Sequence, residues 1–460
     1  MWQSSIRASA CIVFLALGAG RVQAQNAPPG EVMLMHELAG EVSADRLHKD
    51  VQKLVNFGTR HTLSDTKSNT RGIGAARRWI RSEFERISAA CGGCLQVITI
   101  ADTVKGEQRI PDPVEVVSVI AIQRGTLDAD RYVMMSGDID SRVTDPMDFT
   151  SDSPGANDNA SGMAGVLEAA RVLSKHKFAG SIIYAGLAGE EQGLFGGKIV
   201  AKYALDHGWR IKAVLNNDMI GNITGIDGIT DNTIARVFSE GTRDVETPKE
   251  ARMRRFTGGE VDSPSRNLAR YIDVRADQYI PALDVMMVYR LDRFGRGGHH
   301  RPFNAVGIPG VRIMETHENY DRQHQNIRTE NGRAFGDVIE GVNFDYARKL
   351  TALNVVSLAE MAGAPPFPAK VGIKGAVQPS TQLSWKMATG KAADNLAGYK
   401  IYWRLTDQPQ WQWSRFVGKV DHVEMKNIVI DNYYFGVASV AKDGSQSPVV
   451  FPGPAGSFGE

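Results

Sequence analysis

Short apolar runs alternating with helix-period segments constrain this chain more than any other feature. Residues 132–135, 182–185, 213–215 and 311–314 are compact apolar runs of strand length. Between the first two, residues 160–174 set Met163, Val166, Leu167, Ala170 and Leu173 on one helical face. Upstream, residues 73–87 do the same with Ala76, Trp79, Ile80, Phe84 and Ile87, and carry charge on the outer side. Strands joined through helices require crossover connections, so the pattern predicts an α/β fold: a mixed, centrally parallel sheet sandwiched by helices.

The pattern stops at Gly363-Ala364-Pro365-Pro366-Phe367-Pro368, where prolines end a helix and stiffen an extended linker. Beyond it, residues 383–385, 399–403, 411–417, 423–430 and 434–440 are short β-rich runs cut by Gly, Asp and Asn turns, which predicts an all-β sandwich. A chain of 460 residues is in any case too long for one hydrophobic core. At the other end Arg7, an apolar run over residues 8–19 and the small-residue site Val22-Gln23-Ala24 read as a secretory signal. The expected division is therefore a signal at 1–24, an α/β domain at 25–364 and a β-sandwich at 365–460, exported to the periplasm or outside the cell. No other stretch approaches the length of a membrane span.

Lys and Arg number 53 and Asp and Glu 52, a formal net charge of +1, so no overall field would draw nucleic acid or an anionic membrane. Cys91 and Cys94 are too few to close a zinc site, and in an oxidising compartment they are expected to form a disulfide.

The chemistry is carried by acids placed just after the apolar runs. Asp138 and Asp140 follow the first, Glu190 and Glu191 the second, and Asp218 the third; Asp158 lies in the Gly-containing loop Pro154-Gly155-Ala156-Asn157-Asp158-Asn159-Ala160-Ser161-Gly162. In an open α/β sheet these positions share the crevice beyond the strands' carboxyl ends. So many carboxylates would repel one another unless cations neutralised them, which implies divalent metal. In the adjacent pair Glu190-Glu191 one acid can bind metal while the other serves as a general base. No G-x-S-x-G elbow is present, which argues against a serine hydrolase.

The segments Ser136-Gly137-Asp138-Ile139-Asp140-Ser141, residues 154–162, Ala188-Gly189-Glu190-Glu191-Gln192-Gly193-Leu194 and Asn217-Asp218-Met219-Ile220-Gly221 resemble, in order and spacing, those of the co-catalytic zinc peptidases. That family includes bacterial leucyl aminopeptidases, glutamate carboxypeptidases and glutaminyl cyclases, and the likeness spans residues 51–362. The resemblance implies that Asp158 bridges two zinc ions, Glu191 and His324 hold one, Asp218 holds the other and Glu190 is the base. His324 is preferred to His317 because its loop is the more family-like. Asp138 stands where the family carries a ligand histidine, with Asp140 at the position that orients it. An Asp138, Asp158 and Asp218 site made of oxygens alone would be weaker, or suited to another divalent metal. His300 falls in a pocket-shaping segment, with a role behind the ligands or toward substrate. The implied activity is peptide hydrolysis at an N-terminus; a single-zinc glutaminyl cyclase and a non-catalytic binding protein are the alternatives. The C-terminal stretch resembles a fibronectin type III domain, a module for binding a surface or partner or for stability.

Overall fold

A computed structural model describes residues 27–459; the expected signal segment lies outside them. Eight strands form the main sheet: β1 (Leu95–Val104), β2 (Val114–Gln123), β3 (Asp128–Asp138), β4 (Gly180–Leu187), β5 (Arg210–Asn217), β6 (Ile234–Ser239), β7 (Asp284–Val288) and β8 (Gly310–Glu315). Their order is β1-β2-β4-β3-β5-β8-β6-β7. The pairs β3–β4, β3–β5 and β5–β8 are parallel, so the centre is the expected parallel block. Antiparallel pairs β1–β2, β2–β4 and β6–β8 flank it.

Nine helices accompany these strands among the described residues: α1 (Met33–Glu41), α2 (Ala44–Val55), α3 (Gly72–Ala90), α4 (Gly162–Leu173), α5 (Phe195–Asp206), α6 (Pro248–Thr257), α7 (Pro264–Tyr279), α8 (His300–Ala305) and α9 (Phe344–Gly363). The sheet's side chains alternate between two cores. Val133 and Met135 pack with α3, α4 and α9, whereas Tyr132 and Met134 pack with Val200 and Ala204 of α5 and with Phe303 of α8. A sheet buried on both faces needs unbroken apolar runs, which is why these strands lack the alternation of a one-sided sheet.

After a short hairpin, β9 (Arg328–Glu330) and β10 (Arg333–Phe335), the chain passes through α9 into β11 (Ala369–Lys374), β12 (Thr381–Lys386), β13 (Leu396–Leu405), β14 (Trp413–Gly418), β15 (His422–Met425) and β16 (Tyr433–Ala441). These make two antiparallel sheets, β11-β12-β15 and β14-β13-β16. Leu383, Trp385, Tyr399, Ile401, Phe435 and Val437 form their shared core. Cys91 and Cys94 are joined in a disulfide just past α3. No helix of the described residues is long and apolar enough to cross a membrane.

Candidate metal centre

The four parallel strands each deliver an acid to one rim. Asp138 ends β3, Glu190 and Glu191 follow β4, Asp218 follows β5 and Glu315 ends β8. The rim opens on a cleft of about 1390 Å³ whose floor includes Asp158, Glu190, Glu191, Asp218 and His324. There His324 Nε2 lies 2.9 Å from Asp158 Oδ2 and 3.2 Å from Glu191 Oε1. The three ligand atoms fall within 4.8 Å of one another, the only such grouping of His, Cys, Asp or Glu among the described residues. A tetrahedral zinc with bonds of about 2.0–2.2 Å sets its ligand atoms roughly 3.3–3.6 Å apart, so this nitrogen and these two oxygens fit an ion of that kind with little movement. His317, the other histidine weighed for this role, sits away from it beside Asp227 at 3.3 Å.

The electrostatics follow from crowding. Burial opposes a charged His324, but Glu191 and Asp158 outweigh it and push the ring up to about 9. Asp158 resists its own burial and is held well below the usual carboxylate range by His324. Glu190 is pushed far above that range by burial and by the neighbouring Glu191, Asp218, Asp138 and Asp158. Glu190 lines the cleft beside the three ligand atoms, the position a general base needs to take and return a proton.

Around these residues a set of contacts fixes direction. Asp140 accepts from the backbone N–H groups of Glu190 (3.2 Å) and Glu191 (3.1 Å) and from Thr62 Oγ1 (2.9 Å). It thus aims the Glu190-Glu191 turn instead of orienting a histidine. Asp337 accepts from the backbone N–H groups of Asn157 (2.8 Å) and Asp158 (2.7 Å), holding the loop that carries Asp158. Arg142 donates to Glu191 Oε2 at 2.8 Å, and its guanidinium also lies 2.7 Å from His324 Nδ1.

The expected trio of Asp138, Asp158 and Asp218 is not gathered in this way. Asp138 Oδ2 accepts from Asn159 Nδ2 at 2.7 Å, and its Oδ1 lies 2.6 Å from His299 Nδ1. Asp218 Oδ2 is 2.9 Å from the guanidinium of Arg312, which also donates to Asp292 at 3.2 Å. Each of these two acids instead meets side chains of the protein, Asn159 and His299 for Asp138 and Arg312 for Asp218.

Residues 118–343 match the model of peptidase family M28. A protein of Leptosphaeria maculans named "Probable zinc metalloprotease" is 41% identical over 93% of this chain and 98% of its own; another of that name, from Pyrenophora teres f. teres, is 39% identical over 93% and 88%. This chain belongs to peptidase family M28. The fold agrees: the LapA aminopeptidase of Legionella pneumophila superposes with a TM-score of 0.52 at 20% identity, covering 74% of this chain and 78% of that one.

Of the two roles weighed for His300, the structure places it behind the ligands: it is fully buried, with Nε2 2.8 Å from the carbonyl of Leu291 and 3.6 Å from Asp292, the partner of Arg312, and does not line the cleft. Its neighbour His299 is the one that meets Asp138. Sequence reasoning missed Arg142, Asp337, His299 and Arg312. Of these only Arg312 left a signal, a charge in the middle of the apolar run 311–314.

Proposed function

We propose that this chain is a zinc-dependent exopeptidase, an aminopeptidase acting on peptides, with Asp158, Glu191 and His324 as ligands of the ion and Glu190 as the general base. The observation that carries the reading is the grouping of those three ligand atoms on the floor of the cleft beside Glu190. Zinc is favoured by the mixed nitrogen and oxygen donor set and by the names of the M28 relatives. When bound, the ion supplies Lewis-acid polarisation of the scissile carbonyl and acidifies water. Glu190 accepts the proton from that water and passes it to the leaving amine. Asp140 keeps Glu190 pointed at the floor, and Arg142 holds Glu191 through Oε2. The preference for an aminopeptidase rests on the aminopeptidase fold likeness and on the acids Glu240, Asp244, Glu246 and Glu260 that line the cleft, whose carboxylates favour a substrate with a free N-terminal ammonium.

Export to the periplasm or cell exterior is part of the proposal, supported by the signal-like residues 1–24 and by the disulfide. So is a fibronectin type III-like C-terminal module, supported by its two antiparallel sheets.

Glu190→Gln tests the central role. The variant is expected to keep its fold and its zinc while turnover on amino-acid anilides and dipeptides drops by about 10²–10⁴-fold; near-normal turnover removes Glu190 from the mechanism. A single ligand set also suits a glutaminyl cyclase. Ammonia released from an N-terminal glutamine without a free amino acid would decide for that reading.

A further inference from the structure

M28 membership and the motifs lead one to expect two ions side by side, and the described residues supply donors for one. We infer that this chain holds a single catalytic metal ion, at Asp158, Glu191 and His324, and that Arg312 occupies the electrostatic place of the second. The inference rests on the metallopeptidase reading above.

The donor count is the first argument. A catalytic zinc takes three protein ligands. At the second position Asp138 replaces the usual nitrogen ligand, and both its oxygens are engaged, one by Asn159 Nδ2 at 2.7 Å and one by His299 Nδ1 at 2.6 Å. Asp218 Oδ2 lies 2.9 Å from Arg312 Nη2 as an ion pair, and its Oδ1 is buried without a partner. Asp138, Asp158 and Asp218 do not bring one ligand atom each within 4.8 Å of one another, as Asp158, Glu191 and His324 do.

Charge is the second argument. Arg312 is fully buried and cannot swing into solvent. It donates through Nε to the carbonyl of Asp218 and at 2.7 Å to that of Gly297, while Asp292 accepts from it at 3.2 Å through each oxygen. His300 and Arg293 back Asp292 in turn. A dication bound through Asp218 would lie close to this immobile guanidinium in a site with little water to screen it, and like charges so placed repel strongly. His299 offers no alternative ligand on the cleft side: its ring packs against α5, where a Cβ on Gly197 would come within 2.8 Å of Cδ2.

The test is metal stoichiometry of the full chain, stripped with chelator, reloaded with excess zinc, desalted and measured by plasma mass spectrometry, with cobalt absorbance as a second readout. One equivalent is expected. Two tightly held equivalents would overturn the inference and leave the peptidase reading standing; none at all would instead overturn the assignment of Asp158, Glu191 and His324 as ligands. Asp218→Asn preserves shape and is expected to retain that one equivalent, with zinc affinity lowered by less than about 100-fold, the range for groups that touch ligands without bonding the ion. Should a wild-type chain carrying two equivalents fall to one in Asp218→Asn, Asp218 is a ligand and the inference is wrong.

Discussion

An aspartate that closes its two oxygens on successive backbone amides fixes a turn by directional bonds, and Asp140 does this for Glu190 and Glu191. Burial holds Asp140 up at about 6, with Glu191 and Asp138 adding to the effect, so the charged form persists at neutral pH but with little to spare. Asp140→Ala frees both amides and leaves the two glutamates to find new directions. Zinc affinity, read by competition with a chromogenic chelator, is expected to fall by about 10–100-fold, with turnover falling alongside; unchanged affinity would mean the turn holds itself. From the sequence, Asp140 could be placed at the rim but not aimed, because its partners are backbone groups 50 and 51 residues away. Arg312 was hidden for a related reason. A buried arginine is tolerated only when acids surround it, and which acids do so is decided by tertiary structure.

At the scale of elements, the strand ends did most to reveal the site. Acids that directly follow compact apolar runs could be assigned to one rim because the parallel order of β4, β3, β5 and β8 brings their carboxyl ends together. The outer strands were harder to read: β6 lies beyond a long polar loop, and β7 has only five residues. The antiparallel pair β1–β2 lies at the edge of the sheet and contributes only its connecting loop to the cleft, where Arg109 donates to the carbonyl of Glu191. Helix α5 shows how an element is fitted to the site beneath it. Ala in place of Gly197 gains about 1 kcal/mol of helix propensity. The added Cβ, however, would meet His299 Cδ2 at 2.8 Å and His299 O at 3.1 Å, and overpacking of this kind costs about 1–3 kcal/mol. The clash wins because the ring is held by Asp138 and cannot retreat. Gly197→Ala is therefore expected to lower the midpoint of chemical denaturation, and a raised midpoint would show that the ring gives way.

The whole molecule is tied together by charges buried between the α/β part and the C-terminal sheets. Asp262 accepts from Arg270 at 2.9 Å and from Arg404 of β13 at 2.8 Å through each oxygen, all three side chains being essentially inaccessible. Nearby, Arg275 pairs with Glu360, which also accepts from the backbone N–H of Gln446 at 3.3 Å. Removing one partner of such a set strands the others. Arg404→Met is expected to destabilise the chain by about 3–5 kcal/mol in urea unfolding, and a loss below about 1 kcal/mol would mean the network is not holding the interface. The proline-rich stretch that reads as a linker thus joins two bodies that are docked, not tethered. Asp262 also closes the segment whose earlier residues, Glu240, Asp244, Glu246 and Glu260, wall the mouth of the cleft. The β-rich end of the chain consequently acts as a buttress for a doorway it never touches. Weakening Arg404 should change which peptides are admitted, seen as a rise in KM, before it changes how fast an admitted one is cut.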